Sequence, residues 1–199
     1  MTAMATNTDG NISSKPMKVL IAEDEHDIAL IYKTALENRN HEVTTTANGE
    51  DCLKTYHEQF QCMRFGEASP YYRGYNINGN NNPFDVVILD HKMPRINGLE
   101  VAKEILAVNP HQRIIFASAY VRKTLEESVK QLKQVVELIQ KPFNLNELID
   151  TVEDKEIYSE LRKLNVDIDI IKAINPTHEQ IMDLLSRLVK IHKFKFKMF

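Results

Sequence analysis

Short apolar blocks alternate along this chain with longer stretches in which apolar residues recur every three or four positions. Met17-Lys18-Val19-Leu20-Ile21-Ala22 reads as a buried strand, and Ile28, Ile31, Tyr32, Ala35 and Leu36 follow at helical spacing on one face. His41 to Thr46 predicts a short β-branched strand, Asn48-Gly49 a break, and Leu53, Tyr56 and Phe60 a second helix. Val86-Val87-Ile88-Leu89 predicts a third strand, buried on both faces and ending at Asp90. A third helix follows on Val101, Ala102, Ile105 and Leu106, stopped by Asn109-Pro110. Ile114 to Ser118 predicts a fourth strand, and Leu125, Val129, Leu132 and Val136 line a fourth helix. Val135 to Ile139 makes a fifth strand before Lys141-Pro142-Phe143. Asn144 and Glu147 then form an N-cap pair for a helix carrying Leu145, Leu148, Ile149 and Val152. Five strand-helix units in succession imply an α/β fold, a doubly wound parallel sheet with helices on both faces.

Three stretches fall outside that rhythm. Met1 to Lys15 has hardly any large apolar side chain and reads as a loose, disordered tail. Gln61 to Pro83 contains Gly66, Pro70, Gly74, Gly79 and Asn80-Asn81-Asn82, too long for an ordinary helix-to-strand connection. It reads as an inserted loop at the amino end of the third strand, with Tyr71, Tyr72 and Tyr75 as an alternative partner contact. In the last stretch, Lys155 to Phe199, Thr177-His178-Glu179-Gln180 resembles a capping box, and Ile181, Leu184, Leu185, Leu188 and Val189 form an apolar stripe. That helix needs a surface to cover it: its own domain, a second copy or a partner. The closing Lys193-Phe194-Lys195-Phe196-Lys197-Met198-Phe199 alternates charge and apolar side chains and reads as a frayed end.

Composition narrows the class. With 43% hydrophobic and 27% charged residues and a net charge of −3, the chain is of soluble globular type, without the basic excess of a nucleic-acid-binding surface. No run nears the length of a membrane span, and the two cysteines, Cys52 and Cys62, have no metal-like spacing. These features imply a reduced, cytoplasmic setting with no membrane partner.

Chemistry gathers at the predicted strand ends. Glu23 and Asp24 end the first strand, and in a parallel sheet they share the carboxyl edge with Asp90. Three carboxylates meeting there would repel unless a cation sits among them, and all-oxygen ligands favour Mg²⁺. A carboxylate beside such a cation can attack phosphorus and become an aspartyl phosphate. The transferring group then needs a cation, a hydroxyl and backbone N–H groups nearby. Lys141, Ser118 and the amide of Ala119 are the candidates, each at or just beyond a strand end.

This set resembles the receiver domain of two-component response regulators. The resemblance spans Met17 to Val152 and rests on Glu23-Asp24, Asp90 followed by Met93-Pro94 and Gly98, Ser118-Ala119, and Lys141-Pro142-Phe143. It implies a flavodoxin-like five-stranded sheet over residues 17–155, with the loop insertion at 61–83, a tail at 1–16 and a short helical C-terminal extension at 156–199. It further implies that Asp90 is the phosphoacceptor and that Asp24 and Asp90 bind Mg²⁺ directly. Glu23 would act largely through water, and the main-chain carbonyl of Lys92 would complete the ligands. Ser118 and Lys141 would hold phosphoryl oxygens, and the Lys141–Pro142 bond would be cis. The donor would be a sensor histidine kinase or a phosphotransfer protein.

The family usually carries an aromatic residue three positions before this lysine, where Leu138 stands here; Lys92 and Tyr120 would border the path of a hydrolytic water. His91 is expected to face solvent. The implied output is contact with a downstream protein partner or a homodimer, not direct DNA binding, because the extension is short and lacks a basic recognition helix. A signalling switch, not an enzyme acting on outside substrates, is the leading expectation. One alternative is a Mg²⁺-dependent phosphohydrolase with an aspartyl intermediate, although Lys92 stands where such enzymes commonly place a second acid. Another is a degenerate receiver acting as a phosphorylation-independent interaction module.

Overall fold

The computed structural model describes residues 16–66, 82–119, 137–174 and 176–196. The predicted N-terminal tail, the tyrosines of the insertion, the fourth helix and Tyr120 lie outside these residues.

Five parallel strands form one sheet: β1 (Lys18–Ala22), β2 (Glu42–Thr46), β3 (Val86–Leu89), β4 (Ile114–Ser118) and β5 (Glu137–Gln140), in spatial order β2-β1-β3-β4-β5. The helices between strands are α1 (His26–Glu37), α2 (Gly49–Gly66) and α3 (Gly98–Val108), and α4 (Leu145–Val152) follows β5. Side chains alternate between the two faces of a strand, and here both faces are covered. Leu20, Ala22, Val87, Leu89, Ile114 and Phe116 face a core closed by Cys52 and Tyr56 of α2 and Val101, Ala102 and Ile105 of α3. Val19, Ile21, Val86, Ile88, Ile115 and Ala117 face a second core closed by Tyr32 and Leu36 of α1 and Leu148 and Val152 of α4. This double burial is why β1, β3 and β4 read as apolar runs.

Local chemistry sets the element ends. Asn97 and Asn144 cap α3 and α4, each side chain accepting from the backbone N–H three residues on, Glu100 at 3.0 Å and Glu147 at 2.8 Å. Thr177 and Gln180 form the full reciprocal box, at 2.9 and 3.2 Å.

Several boundaries differ from expectation. Residues 61–66, read as the start of the inserted loop, continue α2, because the Leu53, Tyr56, Phe60 spacing carries on to Met63. Strand β5 (Glu137–Gln140) runs one residue beyond the expected end, while Val135 and Val136 of the expected strand lie outside the described residues. Ile31 was placed on the inner face of α1 but is half exposed; Ala29, Tyr32 and Leu36 define the buried stripe, and Ile31 lies about 100° round from Tyr32.

The C-terminal extension adds α5 (Lys155–Lys163), α6 (Ile168–Ile174) and α7 (His178–Phe196). Leu161, Ile168 and Ile181 are buried together, with Leu184, Leu185 and Leu188 packed against them, so the stripe of α7 is covered by its own extension. The extension meets the sheet at its amino edge. Arg113, just before β4, pairs with Glu137 and Asp154 at 2.8 Å each and donates to the carbonyls of Thr151 and Val152. His178, opening α7, sets Nδ1 2.7 Å from Asp154 and Nε2 3.7 Å from Glu137. Among the described residues no helix is long and apolar enough to cross a membrane.

Candidate functional site: the acidic carboxyl edge of the sheet

The strand ends are stitched in register at the carboxyl edge. The Asp90 N–H donates to the Ala22 carbonyl at 2.9 Å, the Glu23 N–H to Thr46 at 3.1 Å and the Lys141 N–H to Ser118 at 2.8 Å. Residues 23 to 68 positions apart in sequence therefore leave the sheet side by side. The chain then turns sharply after β3. Gly98 N–H donates to the His91 carbonyl at 3.0 Å, and a Cβ on Gly98 would stand 2.1 Å from the Asp90 carbonyl oxygen. Only a residue without a side chain allows this approach.

Carboxylate oxygens of Glu23, Asp24 and Asp90 lie within 4.8 Å of one another. Lys141 reaches into the group, its Nζ 2.6 Å from Glu23 Oε2 and 3.3 Å from Asp90 Oδ1. Only 2% of the Glu23 side chain is exposed, against 15% for Lys141 and 13% for Asp90. Burial is the largest influence on Glu23 and raises its pKa above the usual 4.5, only partly offset by Lys141. Burial works against the Lys141 ammonium too, but Glu23 and Asp90 outweigh it and hold its pKa above 10.5. The second Glu23 oxygen, Oε1, is buried without a hydrogen-bond partner. An orphaned carboxylate oxygen in an all-oxygen cluster whose third member, Asp24, is exposed fits a hard divalent cation such as Mg²⁺.

The structure thus brings Glu23, Asp24, Asp90 and Lys141 together. Ser118, the buried last residue of β4, sits beside Lys141 through the main-chain bond, and Ala119 follows at the exposed rim. Lys92 lies two residues past Asp90 with its side chain exposed. His91, expected to face solvent, is half-buried, because the turn closed by Gly98 folds over it. The Lys141–Pro142 bond is cis, as the resemblance implied.

Tyr32 belongs to the predicted inner face of α1, and its ring stacks on Phe143, centroids 5.4 Å apart, beside the charged group. Burial, with Glu23 and Asp90 adding to it, pushes its hydroxyl up to about 12 against the opposing Lys141. Nothing in the helical spacing sets Tyr32 apart from a core aromatic; the partner Phe143 is 111 residues away in sequence. Leu138, at the expected aromatic position, is half-buried against the core around Phe116.

The sequence pattern of the response regulator receiver domain matches residues 19–153, the larger part of the chain. The chain belongs to that family. Receivers of this kind accept phosphoryl groups in two-component signalling, bind Mg²⁺ in an acidic pocket and interact with histidine kinases or phosphotransfer proteins.

Among relatives of this receiver, the DNA-binding transcriptional regulator NtrC of Azospirillum brasilense is 32% identical over 136 residues, 68% of this chain but only 23% of that protein. The response regulator receiver protein CpdR of Brucella abortus is 23% identical over 68% of this chain and 93% of its own length. Sporulation initiation phosphotransferase F of Bacillus subtilis is 24% identical, over 68% and 90%. In fold the receiver is similar to chemotaxis protein CheY4 of Vibrio cholerae, with TM-score 0.53 and 21% identity over 70% of this chain and 98% of that one. It is similar also to the Borrelia burgdorferi CheX–CheY complex with BeF3 and Mg²⁺, with TM-score 0.54 and 20% identity over 69% and 87%.

Proposed function

We propose that Asp90 accepts a phosphoryl group from a phosphohistidine on a sensor histidine kinase or phosphotransfer protein, and that the chain relays this state by protein contact or dimerisation instead of DNA binding. The observation that carries the reading is the placement of Lys141, whose ammonium bridges Glu23 and Asp90 inside the carboxylate cluster. An Asp90 oxygen attacks phosphorus, the bond from phosphorus to the donor imidazole nitrogen breaks, and its electron pair returns to the ring. Lys141 swings from its carboxylate partners to the phosphoryl oxygens, the Ser118 hydroxyl donates to another, and the Ala119 amide offers a third donor. Glu23, Asp24, Asp90 and the Lys92 carbonyl would hold Mg²⁺, which supplies neutralisation of the gathered negative charge when bound. The receiver assists its own phosphorylation and dephosphorylation and does not turn over outside substrates.

The test is labelling of the intact chain with a radioactive phosphohistidine donor, with and without Mg²⁺. Wild type should take up label that Asp90→Asn does not. Equal labelling of the two proteins would remove Asp90 from this role. Steady phosphate release from small phosphoesters would favour a hydrolase instead.

A further inference from the structure

Strands β4 and β5 carry chemistry at both ends. At their carboxyl ends stand Ser118 and Lys141; at their amino ends stand Arg113 and Glu137, which form one charged clamp with Asp154 and His178. Lys141 and Glu137 are separated by four residue steps, about 13 Å along an extended strand. The two strands are paired in register from Ile115↔Glu137 to Ser118↔Gln140, and β4 is paired on its other side with β3, so one continuous hydrogen-bonded backbone joins the two ends. Helix α4 is a third strut: it starts just after Phe143 and ends at the carbonyls that accept from Arg113.

The clamp is not built for a metal. The guanidinium of Arg113, with 6% of its side chain exposed, already occupies the space between the two carboxylates, pairing with each, and His178 Nδ1 closes directly on Asp154. Its position does something else. It fastens the first turn of α7 to the two strands whose far ends face Asp90. Among the described residues α7 also meets the sheet domain through the exposed pair of Glu179 with His111 at 3.1 Å, which touches neither strand.

We propose that the clamp at Arg113, Glu137, Asp154 and His178 couples the state of Asp90 to the C-terminal helices, so that α7 is released when the site is occupied. The inference rests on the receiver reading above. Ser118 and Lys141 are drawn toward a phosphoryl group at the carboxyl edge, and β4 and β5 follow them. Arg113 and Glu137 then withdraw from His178, and the first turn of α7 loses its anchor. The half-buried Leu138, next to Glu137, needs no hydroxyl for this movement, since the signal leaves by the strand end and not by an aromatic side chain. Because coupling is reciprocal, loosening the clamp must also favour occupancy of the site.

The experiment uses the intact chain with Mg²⁺ and beryllofluoride, following site occupancy by ¹⁹F NMR and α7 by amide hydrogen exchange. In wild type, occupancy should speed exchange of the first turns of α7 by about fivefold or more, within the usual range of coupling. His178→Gln and Glu137→Gln should exchange fast without the phosphate mimic, stop responding to it, and bind it tighter by a similar factor. His111→Ala should behave as wild type in all three respects. If ¹⁹F signals show normal occupancy but α7 exchange does not respond, the coupling is overturned and the receiver reading stands. If wild type shows no Mg²⁺-dependent ¹⁹F signal dependent on Asp90, both fall. Should His178→Gln unfold α7 outright, Glu137→Gln, which leaves the helix sequence intact, decides the matter by affinity alone.

Discussion

Replacing Lys141 by methionine keeps an unbranched chain in place and removes the ammonium from between Glu23 and Asp90. The 2.6 Å contact to Glu23 is lost, and a carboxylate with 2% exposure keeps its charge without its cation. Breaking a buried pair from one side costs about 3–5 kcal/mol. Lys141 is 15% exposed and Asp24 lies in solvent, so water reaches this site and the figure drops to about 2–3 kcal/mol near pH 7. For a chain of this size that is a fall of about 4–12 °C in Tm.

The pH dependence has a definite sign. Burial already raises the folded pKa of Glu23 above 4.5, and Lys141→Met removes the influence that opposed it. A group with a raised folded pKa is at its most stabilising below 4.5 and loses that contribution as pH rises through the folded value. The deficit of the variant should therefore be small in acid, grow upward from pH 4.5 and level off once Glu23 is ionised in the folded state. Lys141 itself, with its pKa above 10.5, stays charged throughout and adds no slope. Urea titrations of wild type, Lys141→Met and Lys141→Met/Glu23→Gln at several pH values measure this, and the double variant should recover most of the loss. Mg²⁺ should stabilise Lys141→Met more than wild type, since a cation then replaces the missing one. A deficit under about 1 kcal/mol, or one equal at pH 5 and pH 8, would refute the reasoning, because Glu23 would then be solvated.

Other expectations follow from the same structure. His41 is buried and accepts the Met17 N–H on Nδ1 at 3.2 Å; burial lowers its pKa below 6.5, so stability should fall as pH drops from 6.5, by up to about 1.4 kcal/mol per pH unit. Denaturation curves of His41→Gln should lack that component, and an unchanged slope would assign it to another group. In Gly98→Ala the new Cβ meets the Asp90 carbonyl oxygen at 2.1 Å, so the turn must shift; a loss of about 1–3 kcal/mol and weaker beryllofluoride binding should appear together in melting and ¹⁹F titrations. Leu161→Ala empties the centre of the small extension core and should cost about 2–3 kcal/mol, the lower end for such truncations, with faster amide exchange in α5 and α7 before the sheet is affected.

Much of this molecule was legible in its residues, for physical reasons. Strands covered on both faces must be apolar throughout, so β1, β3 and β4 stood out. Helices covered on one face must repeat every three to four residues, so α1 to α4 did too. Polar groups that end strands in a parallel sheet gather at one edge, which places Glu23, Asp24, Asp90, Ser118 and Lys141 as a set. Where apolar spacing runs on past a polar stretch, as from Phe60 to Met63, α2 extends beyond the end that the polar residues suggest. Where two faces of a helix both carry isoleucines, as in α1, only the neighbouring sheet decided which was inside.

Tertiary structure alone decided what no local pattern encodes. That Lys141 touches Glu23 more closely than Asp90, that Tyr32 stacks on Phe143, and that Glu23 keeps one oxygen unpartnered all follow from the register of strands far apart in sequence. The clamp shows the limit most plainly. Arg113, Glu137, Asp154 and His178 are separate polar residues that share no periodicity. Charge acts through space, and it is the folding of β4, β5 and α4 that brings these four to the edge opposite Asp90.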